Sequence, residues 1–131
     1  MAVSRISAVL PYDIERVWEA VTNLDDTGWR SELDRVERIS ETRFAEYSKN
    51  GPVTFFSVTA CDPLRRWAFD MENVNMSGSW LGEFKAEGNG TRLTFTETVV
   101  AGRRWMRPFV RVYLSIQQRR YLRDLRRKLE K

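Results

Sequence analysis

The region from Arg35 to Ala101 is dominated by six short strand-like segments with turn residues between them. The segments span residues 36–40, 43–49, 53–61, 67–73, 77–87 and 91–100. The connections are short enough for antiparallel hairpins, so the pattern predicts a six-stranded antiparallel meander. A sheet of this kind constrains the rest of the chain, because its apolar face must be covered by the flanking segments.

The last connection contains Asn89-Gly90, the strongest two-residue hairpin signal. If these two residues are the centre of a type I′ turn, the register of the hairpin follows. The predicted opposite pairs are Ala86 with Leu93, Phe84 with Phe95, Gly82 with Glu97 and Trp80 with Val99. One face of the hairpin is then almost wholly apolar, and Glu97 lies on that face.

The segments on either side of the meander predict one strand and two or three helices. Residues 4–10 alternate apolar and polar side chains, which predicts a first strand that Pro11 ends. Asp13 is a suitable N-cap for the helix that follows. Residues 27–33 predict a short second helix.

A long helix is predicted after Gly102. Its apolar side is formed by Trp105, Phe109, Val112 and Ile116, and it continues through Leu122, Leu125 and Leu129. Pro108 lies early in the helix, where its missing N–H costs least. At 1.5 Å per residue, a helix of about 25 residues is about 37 Å long, which exceeds the span of a small sheet. We therefore expect its final turns to overhang.

The composition excludes several classes of site. Within its 131 residues the chain has no histidine and one cysteine, Cys61. A zinc site and a His-based catalytic triad are therefore excluded, and no Gly-rich phosphate loop or dinucleotide motif suggests a nucleotide cofactor. We predict no metal and no cofactor. Neither a membrane-spanning segment nor a signal peptide is evident, so we expect a soluble cytoplasmic protein with one domain, residues 1–131.

The net charge of +4 is unevenly distributed. Residues 1–102 hold 11 Lys/Arg and 16 Asp/Glu, whereas residues 103–131 hold 11 Lys/Arg and two acids. The densest part contains five candidate residues for docking on an acidic macromolecule: Arg119, Arg120, Arg123, Arg126 and Arg127. A partner of this kind would be a ribosome or RNA, an anionic membrane, or an acidic protein surface. The alternative is a solvated helix face that is partly neutralised by the acidic sheet.

The order of elements, together with four motifs, resembles the START-like, or SRPBCC, superfamily. The motifs are Val17-Trp18 with Val21-Thr22-Asn23 and Trp29, then Asp62-Pro63-Leu64-Arg65-Arg66-Trp67, Gly90-Thr91-Arg92-Leu93-Thr94, and residues 122–130. Within the superfamily, the chain is similar to the bacterial polyketide cyclase/dehydrase and lipid-transport group. The resemblance covers the whole chain and implies the α+β helix-grip fold, in which a seven-stranded curved antiparallel sheet wraps around the long C-terminal helix.

The resemblance also implies a ligand cavity between the sheet and the C-terminal helix. The residues expected to converge on it are Phe69, Met71, Trp80, Phe84, Phe95, Glu97, Trp105, Phe109 and Val112. The alternative is that these large side chains fill the space and leave a solid core.

Glu97 is the candidate for chemistry, since a carboxyl group among apolar neighbours is desolvated and its pKa rises. The alternative is that Glu97 lies near the sheet rim and reaches water or an arginine such as Arg104 or Arg111. The adjacent acids Asp25 and Asp26 are read as turn residues. Cys61 is read as buried core filler.

Three functions follow as hypotheses. The first is binding, transport or sequestration of a small hydrophobic ligand, such as a lipid or an aromatic polyketide. The second is an aromatase/cyclase-type enzyme that works without a metal or nucleotide cofactor. The third is a docking module that uses the basic helix end.

Overall fold

The computed structural model of the protein describes residues 1–49 and 51–130. Within these residues, seven strands form one antiparallel sheet in the order β1-β7-β6-β5-β4-β3-β2. The strands are β1 (Ala2–Leu10), β2 (Leu33–Arg38), β3 (Arg43–Ser48), β4 (Val53–Asp62), β5 (Arg66–Glu72), β6 (Met76–Glu87) and β7 (Gly90–Ala101). The helices are α1 (Ile14–Thr22) and α2 (Arg107–Leu129), with a 3₁₀ turn at Arg104–Met106 before α2. This is the predicted helix-grip architecture.

Helix α1 begins where the sequence predicts. The Asp13 side chain caps it by accepting a hydrogen bond of 3.0 Å from the backbone N–H of Arg16. The helix buries Val17, Ala20 and Val21. Such caps stabilise a helix because they satisfy one of the N–H groups that have no partner in the first turn.

The predicted second helix at residues 27–33 is wrong. Residues between α1 and β2 form separate turns, closed by bonds such as Arg30 N–H to the Thr27 carbonyl at 3.1 Å. The Asn23 side chain accepts the Asp25 N–H, which favours a local turn over a continuing helix. Side chains of this loop instead contact α2, with Ser31 donating to Asp124 and Trp29 packing against Tyr121.

The predicted hairpin register is wrong by two residues. Gly88 and Asn89 are the central turn residues, and Glu87 pairs with Gly90. Gly88 has φ +58°, and Asn89 does not have a positive φ. A type I′ turn requires a positive φ at both central residues and a type II′ turn only at the first, so this turn is of type II′. Because side chains alternate with a period of two, this shift leaves every side chain on its predicted face.

The partners across the β6–β7 hairpin change with the shift in register. Trp80 lies opposite Glu97, and Gly82 lies opposite Phe95. The predicted pairing of Gly82 with Glu97 is therefore wrong. The Trp80 ring covers Gly82, where an added Cβ would come within 2.6 Å of the indole.

Helix α2 presents a different side to the sheet than the apolar spacing predicts. Its buried residues are Val110, Leu114, Gln118, Asp124, Leu125 and Leu129. The side predicted to be buried is instead 52–65% exposed; it consists of Trp105, Phe109, Val112 and Ile116. The reason is that Gln118 and Asp124 are buried and have hydrogen-bond partners. A prediction based only on apolar residues places such polar side chains on the exposed side of the helix.

The C-terminal end of α2 does not overhang. Leu125 and Leu129 are almost fully buried, and the Arg16 guanidinium donates a hydrogen bond to the Leu129 carbonyl. The helix packs mainly against β1, β7 and α1. It therefore covers one side of the sheet and leaves the inner faces of the central strands and β3 less covered. No helix among the described residues is both long enough and apolar enough to cross a membrane.

We expect Leu125→Ala to lower the free energy of unfolding by about 2–5 kcal/mol, because it removes a buried side chain. The matched change Val112→Ala, on the exposed side, should alter it by no more than about 0.5 kcal/mol. Urea unfolding of both variants measures the two values. Equal losses would contradict the orientation of α2 described above.

Candidate functional site

A cavity of about 520 Å³ lies between α2, the loop after α1 and the inner face of the sheet. Six aromatic side chains from five strands line it: Phe44, Phe56, Trp67, Phe69, Trp80 and Phe95. Phe44 stacks on Phe56 with ring centres 4.7 Å apart, and Phe69 stacks on Trp80 at 5.0 Å. Such a wall favours flat apolar molecules, because stacked and edge-to-face ring contacts are both available.

A group of charged and polar side chains lies in the same cavity, built around Arg30. Arg30 Nη1 donates to Glu46 Oε2 at 2.8 Å, and its Nη2 is paired with Glu32. The guanidinium also lies over the Tyr121 ring, 5.0 Å from its centre. We call Arg30, Glu32, Glu46, Glu97 and Tyr121 the polar cluster.

The polar cluster contains more acid than base. Burial raises the pKa of the Glu97 carboxyl to about 7, and the nearby Arg30 only partly opposes this rise. Burial likewise raises the pKa of Tyr121, so its phenol stays protonated. Although burial acts in the opposite direction, Glu46 and Glu32 raise the pKa of Arg30, which therefore stays charged. Near neutral pH, the Glu97 carboxyl therefore exchanges a proton.

Part of the polar cluster lacks hydrogen-bond partners. Arg30 Nε and Glu32 Oε2 are buried without a partner among the described residues. Since unpaired buried polar groups are costly, the cluster can accept a polar group from a bound molecule.

The structure brings some predicted site residues together and separates others. Phe69, Met71, Trp80, Phe95 and Glu97 all line the cavity. Phe84 is buried outside the lining, with its ring in edge contact with Trp18 at 4.9 Å.

The three helix residues predicted to line the cavity lie elsewhere. These residues, Trp105, Phe109 and Val112, are at least 62% exposed. The prediction that they converge on the cavity is therefore wrong. The helix faces the cavity instead with residues that include Leu114, Gln118 and Tyr121.

Sequence reasoning missed most of the polar cluster. Arg30 and Glu32 lie in the loop before β2, and Glu46 lies on β3, far along the chain from Glu97. Tyr121 lies among the helix cations, where no sequence pattern marks it as part of a site. The one available signal was the run Arg30-Ser31-Glu32, a charge pair directly before an apolar strand residue, and it does not identify a partner.

The remaining candidates have ordinary structural roles or lie on the surface. Asp25 pairs with Arg38 at 3.0 Å, and Asp26 pairs with Lys128 at 2.6 Å, which agrees with turn residues. Cys61 is exposed, so its reading as core filler is wrong; it points outward at the bulged end of β4. The described residues contain no group of three or more potential metal ligands.

The five docking candidates on α2 do not form a uniform free surface. Arg120 lines the cavity, and Arg123 pairs with Asp124 at 3.3 Å. Arg119, Arg126 and Arg127 are exposed. Two hydrogen bonds from Ser31 lower the pKa of Asp124 despite its burial, so Asp124 stays charged beneath these arginines.

A long helix packed on a seven-stranded antiparallel sheet, with a cavity between them, is the helix-grip fold. The family described as polyketide cyclase/dehydrase and lipid transport matches residues 1–130, so the chain belongs to this family. It is a family with a ligand-binding fold. No curated protein sequence matches the chain.

Solved structures share the fold at low sequence identity. A START superfamily protein from Mycobacterium smegmatis has a TM-score of 0.90 at 10% identity, over 98% of this chain and 97% of that chain. A conserved protein from Geobacillus kaustophilus has a TM-score of 0.86 at 12% identity, over 98% and 95%. DynU16, from the dynemicin biosynthetic locus, has a TM-score of 0.79 at 16% identity. The match covers 98% of this chain and 47% of the DynU16 chain.

We expect the Glu97 carboxyl to make folding stability depend on pH. Its pKa is about 7 in the folded protein against an ordinary 4.5, so between these values the unfolded chain releases a proton that the folded protein keeps. The Glu97 contribution to the free energy of unfolding is therefore complete below pH 4.5 and is lost as pH rises to 7. At 1.36 kcal/mol per unit, the loss is about 3 kcal/mol.

Chemical unfolding at several pH values between 4.5 and 8 measures this effect. Glu97→Gln should remove the decrease, while Glu87→Gln, an exposed acid on the neighbouring strand, should leave it in place. Identical pH profiles for the wild type and Glu97→Gln would contradict a desolvated Glu97.

Proposed function

We propose that the protein binds a small, largely apolar aromatic or lipid-like molecule in the cavity. The observation that carries this proposal is the pairing of an aromatic wall with a buried polar cluster in one space of about 520 Å³. Ligand sites are typically about 300–1,000 Å³ and mainly apolar, with a few convergent polar groups. Transport and sequestration are both forms of this binding.

The polar cluster supports a ligand that carries a hydroxyl group. Glu97 and Glu32 offer carboxyl oxygens that accept a hydrogen bond, and Arg30 Nε offers a donor. A hydroxyl both donates and accepts, so it can satisfy two of these groups at once. The rings of Phe69 and Trp80 would meanwhile contact the apolar part of the same molecule.

The same arrangement supports one binding domain formed by the whole chain, residues 1–131, because strands from both halves and α2 all contribute to the lining. The exposed thiol of Cys61 supports a reducing compartment, and we propose the cytoplasm.

Two probes of nearly equal size test the proposal: 2-naphthol, which has a hydroxyl, and naphthalene, which has none. We expect both to bind and to quench tryptophan fluorescence, since Trp67 and Trp80 line the cavity. One added hydrogen bond should make 2-naphthol bind about 2–10-fold more tightly. Glu97→Gln should change the affinity for 2-naphthol more than the affinity for naphthalene.

Met71→Trp tests the place of binding, because it fills the cavity from β5. We expect it to abolish the binding of both probes. Phe55→Trp on the neighbouring strand, where the side chain is 42% exposed, is the control and should bind them as the wild type does. Binding that survives Met71→Trp would place the site elsewhere. Native mass spectrometry of freshly purified protein then identifies any molecule carried from the cell.

Aromatase/cyclase-type catalysis is a second candidate function, favoured by the pKa of Glu97. A general acid or base works best when its pKa lies near the working pH, and that of the Glu97 carboxyl is about 7. If the protein turns over a polyketide, Glu97→Gln should lower kcat by about 10²–10⁴-fold while the circular dichroism spectrum is unchanged. Unchanged turnover in this variant would remove Glu97 from any mechanism.

A further inference from the structure

The first half of α2 and the 3₁₀ turn before it carry an exposed apolar patch. Its side chains and their exposed fractions are Trp105 65%, Phe109 65%, Val112 62%, Tyr113 49% and Ile116 52%. Single exposed apolar residues are common, but a contiguous patch on a small protein marks an interaction site. We call these five residues the α2 patch.

The α2 patch is exposed because of the way the helix is attached. Phe109, Val112 and Ile116 follow the spacing i, i+3 and i+7, so they share one side of the helix. Val110 and Leu114 lie on the opposite side, in the core. Phe109, Val112 and Ile116 therefore point away from the sheet, and Tyr113 lies at the edge between this side and the cavity.

Arginines surround the α2 patch and extend beyond it. Arg103, Arg104, Arg107 and Arg111 are interleaved with the patch, and Arg119 continues its side of the helix. No acidic residue occurs between Gly102 and Asp124. Of the ten described cations from Arg103 to Lys128, only Arg123 and Lys128 form ion pairs within the described residues. The charge on this surface is thus largely unneutralised.

We propose that the α2 patch and its flanking arginines dock on an anionic lipid membrane. Helices that lie in the membrane interface combine a cationic surface with Trp, Phe and aliphatic residues that enter the acyl boundary. Trp105 and Tyr113 are residue types enriched at the headgroup level. The arginines complement the negative charge of anionic lipids, each contributing electrostatic attraction near the surface.

Other occupants fit the surface less well. Two copies of this chain docked through the same face would bring their arginines together without any acidic partner. RNA would use the cations and could stack bases on Trp105, but Val112 and Ile116 have no ring to stack. A hydrocarbon boundary uses both the cations and the aliphatic side chains.

Docking would also place the cavity next to the lipid. Tyr113 belongs to the α2 patch and lines the cavity, and Gln117 and Arg120 line it one to two turns further along α2. Membrane docking does not depend on what the cavity binds. The vesicle test below can therefore succeed or fail independently of the naphthol experiment.

Vesicle flotation with the full chain tests the proposal, using phosphatidylcholine vesicles with and without 30% phosphatidylserine. We expect binding to the phosphatidylserine vesicles and a loss of at least about tenfold without the anionic lipid or in 0.5 M NaCl. The triple variant Arg104→Gln, Arg107→Gln, Arg111→Gln should lose about a hundredfold.

The apolar part is tested by Phe109→Ser combined with Ile116→Ser, which should weaken binding at least about tenfold. Phe55→Ser combined with Val100→Ser is the matched control, since both positions are exposed apolar residues on the sheet, and it should bind like the wild type. Circular dichroism confirms that each variant is folded.

Several results would overturn membrane docking. They are no binding to anionic vesicles, or binding that both sets of α2 variants leave unchanged. A wild-type dimer in light scattering that becomes a monomer in Phe109→Ser with Ile116→Ser, without vesicle binding, would assign the α2 patch to self-association. Salt-sensitive RNA binding in place of vesicle binding would assign the surface to nucleic acid.

Discussion

Two buried polar residues on α2, Gln118 and Asp124, determine where the helix lies and therefore where the cavity opens. Gln118 accepts from the Ser4 hydroxyl at 2.8 Å and donates to the Ser4 carbonyl at 2.9 Å, which joins α2 to β1. Asp124 accepts from the N–H and hydroxyl of Ser31, which joins α2 to the loop after α1. These bonds are directional, and breaking them leaves buried polar atoms unpaired. The helix is thereby held over one side of the sheet, and the inner face beyond it forms the cavity wall.

Local sequence signals predicted the fold because each element is specified by its own residues. Period-2 alternation located the strands to within a few residues, and Asp13 marked the start of α1. The hairpin dipeptide located the last turn but not its central pair, since Gly88 supplies the positive φ. The resulting error of two residues preserved the faces of the strands. The side of α2 was predicted wrongly because burial there depends on partners far along the chain, such as Ser4 for Gln118.

The candidate site was predictable only where it lies on one hairpin. Glu97, Trp80 and Phe95 share a face that strand alternation alone defines, so their convergence followed from the sequence. Arg30 and Glu46 come from a loop and from β3, and they meet Glu97 only after the whole sheet has formed. No local pattern encodes that meeting. The contact between these residues matters chemically, because burial raises the pKa of Glu97 and Arg30 partly lowers it again, to about 7. A chain without histidine therefore has a group that titrates near neutral pH.

The exposure of one side of α2 follows from the burial of the other side. A helix that covers a core normally has one apolar side and one polar side. Here Leu114 and Gln118 take the inner side, and Phe109 and Val112 remain outside. Rotating the helix to bury Phe109 would expose Leu114 and break both bonds between Gln118 and Ser4, so the α2 patch cannot be buried by a local adjustment. Its exposure is a consequence of the same bonds that create the cavity, and a partner outside the chain is what can cover it.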